Sequence, residues 1–187
     1  TTALATGSFA LTGSSSALIK DGDMSAKRPL FVSTWPFGKA ANERSLDIFE
    51  GGGSVLDAVE MGIHVPEADE SNASVGLGGI PNAEGVVQLD ACIMDGEGQR
   101  AGSVAGIEDI LHPISVARKV MDETKHVMLV GEGARQFALS QGFEKVNLLT
   151  EEQRLKWEKW KKEQHKADNH DTIALLGVDA NGHIAGG

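Results

Sequence analysis

Residues 170–187 read HDTIALLGVDANGHIAGG and contain the start of a β-hairpin. The apolar run over residues 172–179 predicts a strand, Ala-Asn-Gly at residues 180–182 a tight turn, and residues 183–187 a return strand. Thr172 stands where a polar loop meets the strand, a common place for a β-branched residue with a purely structural role. The return strand is short, and the backbone N–H and C=O groups along its open edge would have no partner. We therefore expect the chain to continue.

The same patterns extend outward through the chain. Periods near two or near 3.6 residues, with Gly and Pro at the breaks, predict the other elements. Ser54 is expected to cap a helix and Pro113 to begin another. The predicted strands cover 30–34 (buried), 86–94, 102–107 and 126–130, and the predicted helices cover 40–49, 55–63, 113–124, 132–141 and 151–165. The strands at 86–94 and 102–107, joined by a turn at 95–98, are expected to form a second hairpin. Hairpins mixed with helices indicate an α+β fold in which helices pack on a sheet.

The composition is that of one globular domain. The chain has 187 residues, 41% of them hydrophobic and 24% charged, with a formal net charge of −10. Such a negative surface disfavours nucleic acid and anionic membranes as partners. The single Cys92 lies in an apolar run and is predicted to be a buried free thiol.

Residues 1–28 are expected to be a signal-peptide remnant and flexible tail outside the folded domain. Residues 1–18, TTALATGSFALTGSSSAL, are small and uncharged, too short and polar to span a bilayer. They are typical of a secretory signal that has lost its basic start, which predicts an exported, periplasmic or secreted protein. A flexible tail is the alternative interpretation.

The sequence contains neither a recognisable zinc-binding cluster nor a phosphate-binding loop. No histidine or cysteine cluster has zinc spacing, and the six histidines are scattered. Gly76, Gly78 and Gly79 lack the Lys and Ser/Thr of a phosphate loop, so we interpret them as a structural turn. We therefore expect neither a metal nor a cofactor.

Four ordered segments carry a family resemblance. From about residue 31 to residue 187 the chain resembles the glycosylasparaginases (aspartylglucosaminidases), members of the N-terminal-nucleophile (Ntn) hydrolase superfamily. The segments are STWPFG at 33–38, SVGLGGIP at 74–81 followed by LDACIMD at 89–95, HVMLVG at 126–131, and HDT at 170–172.

The resemblance implies a fold and an assembly. The fold would be a four-layer αββα sandwich of the Ntn-hydrolase type, of which only the amino-terminal part is present. Residues 29–171 would be the α-subunit part and residues 172–187 the start of the β subunit. The partners implied are the remainder of the β subunit and a second αβ unit, which gives a homodimer.

The resemblance also implies a reaction. The precursor would cut itself between Asp171 and Thr172, and Asp171 and His170 would assist the reaction or help to strain the bond. Thr172 would then be an amino-terminal nucleophile whose own α-amine, with an unperturbed pKa of about 7.7–8.0, acts as the base. The substrate would be a glycoasparagine, cleaved at the amide between asparagine and N-acetylglucosamine, with Trp35 and Phe37 as substrate-binding residues.

Two departures accompany these expectations. Ala174 stands where the family usually has glycine, which predicts altered packing beside the nucleophile. The family's oxyanion donors and the groups that bind the substrate's α-amino and α-carboxylate lie beyond residue 187, so we expect this chain alone to be nearly inactive.

Two other functions remain open. An isoaspartyl peptidase or L-asparaginase of the same superfamily would use the same Thr172 chemistry on another leaving group. A non-catalytic binding module would leave Asp171 and Thr172 uncut.

Overall fold

A computed structural model of the chain describes residues 29–163 and 173–187. Within these ranges the chain forms mixed α/β structure with six strands and five helices. The strands are β1 (Leu30–Ser33), β2 (Leu89–Asp95), β3 (Arg100–Ile107), β4 (Met128–Val130), β5 (Leu175–Val178) and β6 (Ile184–Gly186). The helices are α1 (Gly38–Glu50), α2 (Val55–Ala68), α3 (Pro113–Glu123), α4 (Gly131–Ser140) and α5 (Glu151–Glu163).

The six strands form one sheet in the order β1-β5-β6-β2-β3-β4. All pairs are antiparallel except β3 and β4, which are parallel. Both predicted hairpins, β2–β3 and β5–β6, are confirmed. β6 pairs with β5 on one side and with β2 on the other, so the open edge expected for it is wrong.

Helix boundaries follow the capping signals in the sequence. Ser54 caps α2 through a reciprocal capping box, in which its hydroxyl accepts from the Asp57 backbone N–H and the Asp57 carboxylate accepts from the Ser54 backbone N–H. Pro113 occupies the first turn of α3, where its missing N–H costs nothing. Gly51 ends α1, and Gly52 continues with a φ of 95° that favours glycine. The end of the predicted helix at 164–165 lies outside the described residues.

The core lies between one face of the sheet and the helices. α1 and α2 pack on each other and on the β1–β5–β6 side, while α3 and α4 pack on β2, β3 and β4. Strand side chains that point toward this layer are buried, as at Ile93, Val104 and Leu175. Alternation along each strand then sends the neighbouring side chains to the opposite face.

The opposite face of the sheet is apolar and exposed. Cross-strand pairs such as Val32 with Leu176 and Met94 with Gly186 place its residues on one surface. Seven of its large side chains are 53–59% exposed: Leu30, Val32, Met94, Met128, Val130, Leu176 and Ile184. We call these seven residues the outer face.

Two burial predictions are wrong for the same geometric reason. β1 was expected to be buried, but it is an edge strand with Leu30 and Val32 on the outer face. Cys92 was expected to be a buried thiol, yet it is exposed, because it alternates with the fully buried Ile93. An apolar run does not reveal which of its residues face the helices.

Candidate functional site

The three residues predicted to carry the chemistry, His170, Asp171 and Thr172, lie outside the described residues. Their roles stay predictions. What the structure describes is the surrounding scaffold, from Ile173 onward along the chain and from the end of β1.

The segment just after Thr172 is tied to the end of β1. The backbone N–H of Thr34 donates to the Ala174 carbonyl at 3.1 Å, and the backbone N–H of Ala174 donates to Thr34 Oγ1 at 3.1 Å. These bonds extend the β1–β5 ladder by one step beyond Ser33 and Leu175. Ala174 thus precedes β5 and is hydrogen-bonded to the residue that follows β1.

The two aromatic residues predicted to bind substrate have different environments. Trp35 follows Thr34 directly, is half exposed, and has a φ of 63°, in the left-handed region that bulky residues rarely adopt. Such strain persists where the surroundings enforce it, often at functional sites. Phe37 is partly buried and packs against the hydrophobic core. The structure thus gives Trp35 the more accessible position of the two.

A cavity of about 440 Å³ adjoins Ile173. Residues of β2 and β3, the 74–80 loop, and the ends of α2 and α3 surround it. Ile173 is buried, and Gly187, which exchanges two backbone hydrogen bonds with Leu175, also borders this space. A cavity of this size is within the range of small-molecule sites.

The glycine-rich loop is shaped by close backbone contacts. Gly76 and Gly78 have φ values of 64° and 81°. A Cβ on Gly76 would lie 2.0 Å from the Glu67 carbonyl oxygen, so only glycine fits there. Leu77 N–H donates to that same carbonyl at 2.8 Å. The loop is therefore a structural turn that lines the cavity, as predicted.

A polar cluster beside the cavity was missed by the sequence analysis. His64 and Glu67, one turn apart on α2, meet His112, which precedes α3. The imidazole rings of His64 and His112 stack with centroids 3.8 Å apart, and His112 Nδ1 lies 2.9 Å from Glu67 Oε2. The spacing of His64 and Glu67 is visible in the sequence, but only folding brings His112 to them.

Burial sets the electrostatics of this cluster. It lowers the pKa of His64 to about 4, and the positive charges of His112 and Arg44 act in the same direction. Burial raises the pKa of Glu67 to about 7, and the hydrogen bonds from His112 and the Ile114 backbone N–H oppose that rise. The shifted pKa values of His64 and Glu67, together with the contact of Glu67 with the His112 imidazole, mark this cluster as a candidate functional site.

Comparisons with known proteins identify the family. A family model described as asparaginase matches residues 9–187, so the chain belongs to that family. The chain is 51% identical over 164 residues to the N(4)-(beta-N-acetylglucosaminyl)-L-asparaginase of Elizabethkingia miricola, which covers 85% of this chain and 48% of the relative.

Two further relatives show the breadth of the similarity. The rat protein with the same name is 44% identical over 71% of this chain and 38% of its own length. The plant-type L-asparaginase of Pyrococcus abyssi is 47% identical over 62% of this chain and 38% of its own length. The chain spans about half the length, or less, of these curated relatives.

Proposed function

We propose that the complete protein is a self-processing amidohydrolase that cleaves the amide between asparagine and N-acetylglucosamine in glycoasparagines. The observation that carries the proposal is the 51% identity, over 85% of this chain, to a relative named for that activity. The sequence has His170-Asp171-Thr172 directly before Ile173 and β5, the strand that pairs with β1.

Self-processing begins with an acyl shift. The Thr172 hydroxyl attacks the Asp171 carbonyl carbon, the peptide C–N bond breaks, and an ester forms while the nitrogen becomes the α-amine of Thr172. Water then hydrolyses the ester, which gives a carboxyl group on Asp171 and a free Thr172 hydroxyl. His170 and Asp171 assist proton transfer or strain the bond.

Substrate hydrolysis uses the same hydroxyl. The new α-amine accepts the Thr172 hydroxyl proton as the oxygen attacks the side-chain amide carbon of the glycoasparagine. The C–N bond breaks, the sugar leaves as its amine after taking that proton, and an aspartyl ester remains on Thr172. Water hydrolyses the ester and releases aspartate.

The outer face supports a four-layer αββα arrangement. Soluble chains rarely expose a contiguous apolar surface across a whole sheet, and two sheets commonly pack face to face about 10 Å apart. We propose that a second sheet, from the remainder of the β subunit, covers the outer face. The proposed αβ unit forms a homodimer, the assembly that the family resemblance implies.

We also propose export to the periplasm or medium. Its support is the composition of residues 1–18, which lie outside the described residues. No helix in the part of the chain that the structure describes is long and apolar enough to cross a membrane. Cell fractionation followed by amino-terminal sequencing tests export: a start near residue 18 in the exported fraction is expected, and retention in the cytosol would contradict it.

Substrate choice is tested by direct turnover. The full-length protein is incubated with N-acetylglucosaminyl-asparagine, free asparagine and a β-aspartyl dipeptide, and released aspartate is measured. The glycosylated substrate should have the highest kcat/KM, and Thr172→Ala should abolish turnover of all three.

The similarity to a plant-type L-asparaginase favours one second candidate, the L-asparaginase activity named for that relative. Preference for asparagine or the dipeptide would select this candidate. No turnover of any substrate would favour the non-catalytic binding module.

A further inference from the structure

Three side chains of types that can ligate a metal converge at the end of α2 and the start of α3. One donor atom from each of His64, Glu67 and His112 lies within 4.8 Å of the other two. His112 Nδ1 and Glu67 Oε2 are only 2.9 Å apart. The Glu67 residue is 3% exposed, so its carboxyl group is almost completely withdrawn from water.

The hydrogen bonds define the tautomer of His64. Ser115 Oγ lies 2.5 Å from Glu60 Oε1 and 2.6 Å from His64 Nε2. A hydroxyl has one proton, and an ionised carboxylate can only accept. Ser115 therefore donates to Glu60 and accepts from His64 Nε2–H. A neutral His64 then has its lone pair on Nδ1, which takes part in no hydrogen bond among residues 29–163 and 173–187.

We propose that His64, Glu67 and His112 bind one divalent transition-metal ion of the Zn²⁺ class. Imidazole nitrogen and carboxylate oxygen are ligands that Zn²⁺ prefers, and a His-x-x-Glu spacing on one helix presents two of them together. With metal–ligand bonds of about 2.1 Å, donors 2.9 Å apart subtend about 90° at the metal. The ion replaces the proton between His112 and Glu67, while the ring of His64 turns out of the stack.

Neighbouring groups supply hydrogen bonds to these side chains, as the outer-shell partners of a bound metal do. Ser115 and Glu60 orient His64 through the hydrogen-bond chain, and Arg118 anchors Glu60 with a contact of 3.2 Å. The Ile114 backbone N–H donates to the other Glu67 oxygen at 3.1 Å. Partners of this kind fix ligand orientation, and their loss typically lowers metal affinity by about 10–100-fold.

The consequence of binding is structural. His64 and Glu67 belong to α2 and His112 immediately precedes α3, so the ion connects the two helices. A ligand that binds only the folded state stabilises it in proportion to its concentration and affinity. This role is independent of the Thr172 chemistry, so the two proposals can fail separately.

The test is a metal titration of the full-length protein made without a histidine tag and stripped with a chelator. Zn²⁺ is titrated against a chromophoric competitor, and Co²⁺ is added separately to record the visible spectrum of its coordination. We expect one equivalent of tight binding and a higher melting temperature with Zn²⁺. The variants His112→Asn and His64→Gln remove ligands, so each should lower affinity by more than the roughly 10–100-fold typical of losing an outer-shell partner.

Controls separate this site from adventitious binding. His126→Asn, at an exposed histidine outside the cluster, should bind Zn²⁺ like the wild type. In the wild type, Zn²⁺ should protect His64 and His112, but not His126, from acylation by diethyl pyrocarbonate, which requires no variant to fold. Binding that is unchanged in both single variants, or the absence of protection, would overturn the proposal.

Discussion

At the residue scale, Trp35 combines a half-exposed side chain with a backbone that bulky residues rarely adopt. Its neighbour Thr34 is bonded to Ala174, two residues after Thr172. An aromatic ring held there can cover the apolar face of a sugar or the stem of an asparagine. Phe37, which packs against the core, is better placed for a structural role.

We therefore predict that Trp35→Ala raises KM for the glycosylated substrate about tenfold, equivalent to about 1.4 kcal/mol of binding. The melting temperature should change less than in Phe37→Ala, which removes a side chain packed on the core. Steady-state kinetics and thermal unfolding of both variants check this. An unchanged KM in Trp35→Ala would remove Trp35 from the substrate site.

Gly62 allows α1 and α2 to approach closely. A Cβ at this position would lie 2.1 Å from Ser45 Oγ and 2.7 Å from the Ala41 carbonyl oxygen. Ser45 is fully buried and donates to that same carbonyl, so it has no free space into which to move.

We predict that Gly62→Ala lowers the free energy of unfolding by about 1–3 kcal/mol despite the better helix propensity of alanine. The matched control is Gly133→Ala in α4, where a Cβ meets nothing within 4 Å. Gly133→Ala should raise the free energy of unfolding by up to about 1 kcal/mol. Urea unfolding of both variants measures the difference, and equal effects would contradict the close packing.

At the element scale, the start of α2 depends on Asp57. Burial tends to raise the pKa of Asp57, but hydrogen bonds from Ser54 and the charge of Arg118 outweigh it and hold the pKa below 3.8. The folded state thus binds this proton less readily than the unfolded state. The ionised Asp57 therefore contributes fully to the free energy of unfolding above pH 3.8, and this contribution is lost as the pH falls through the lowered pKa.

We predict that Asp57→Asn lowers the free energy of unfolding by about 1 kcal/mol near pH 7 and by less as the pH approaches about 3. Asparagine still accepts a hydrogen bond but has no charge for Arg118. Unfolding free energies of wild type and variant across this pH range check the sign. Glu50→Gln, at the exposed end of α1, is the charge-matched control. A cost that grows on acidification would contradict the assignment.

Local signals predicted the elements well because capping and turn chemistry act within a few residues. Ser54 and Pro113 set helix starts, and Ala-Asn-Gly at 180–182 set a hairpin, each as the sequence indicated. Strand order could not be predicted from local patterns, because β6 pairs with β2, about ninety residues earlier in the chain. His112 reaches Glu67 by the same kind of long-range contact, so the local spacing of His64 and Glu67 did not by itself reveal the polar cluster.

At the scale of the whole molecule, the outer face is the clearest sign of a second layer. We predict that Met94→Lys in the full-length protein lowers the yield of folded, processed protein, because it places a charge between two sheets at a cost of at least about 2 kcal/mol. Leu155→Lys is the matched control, since Leu155 is a similarly exposed apolar residue on α5 and not on the outer face. Equal yields and melting temperatures would contradict the proposed second sheet.

The proposed function depends on self-cleavage of one bond, between Asp171 and Thr172. Its most direct test is the intact mass of the protein expressed from the complete gene, with each amino terminus sequenced and Thr172→Ala as control. We predict two fragments in the wild type, the second beginning at Thr172, and a single uncut chain in the variant. A folded wild-type protein that stays in one piece would contradict the nucleophile assignment and favour a non-catalytic binding module.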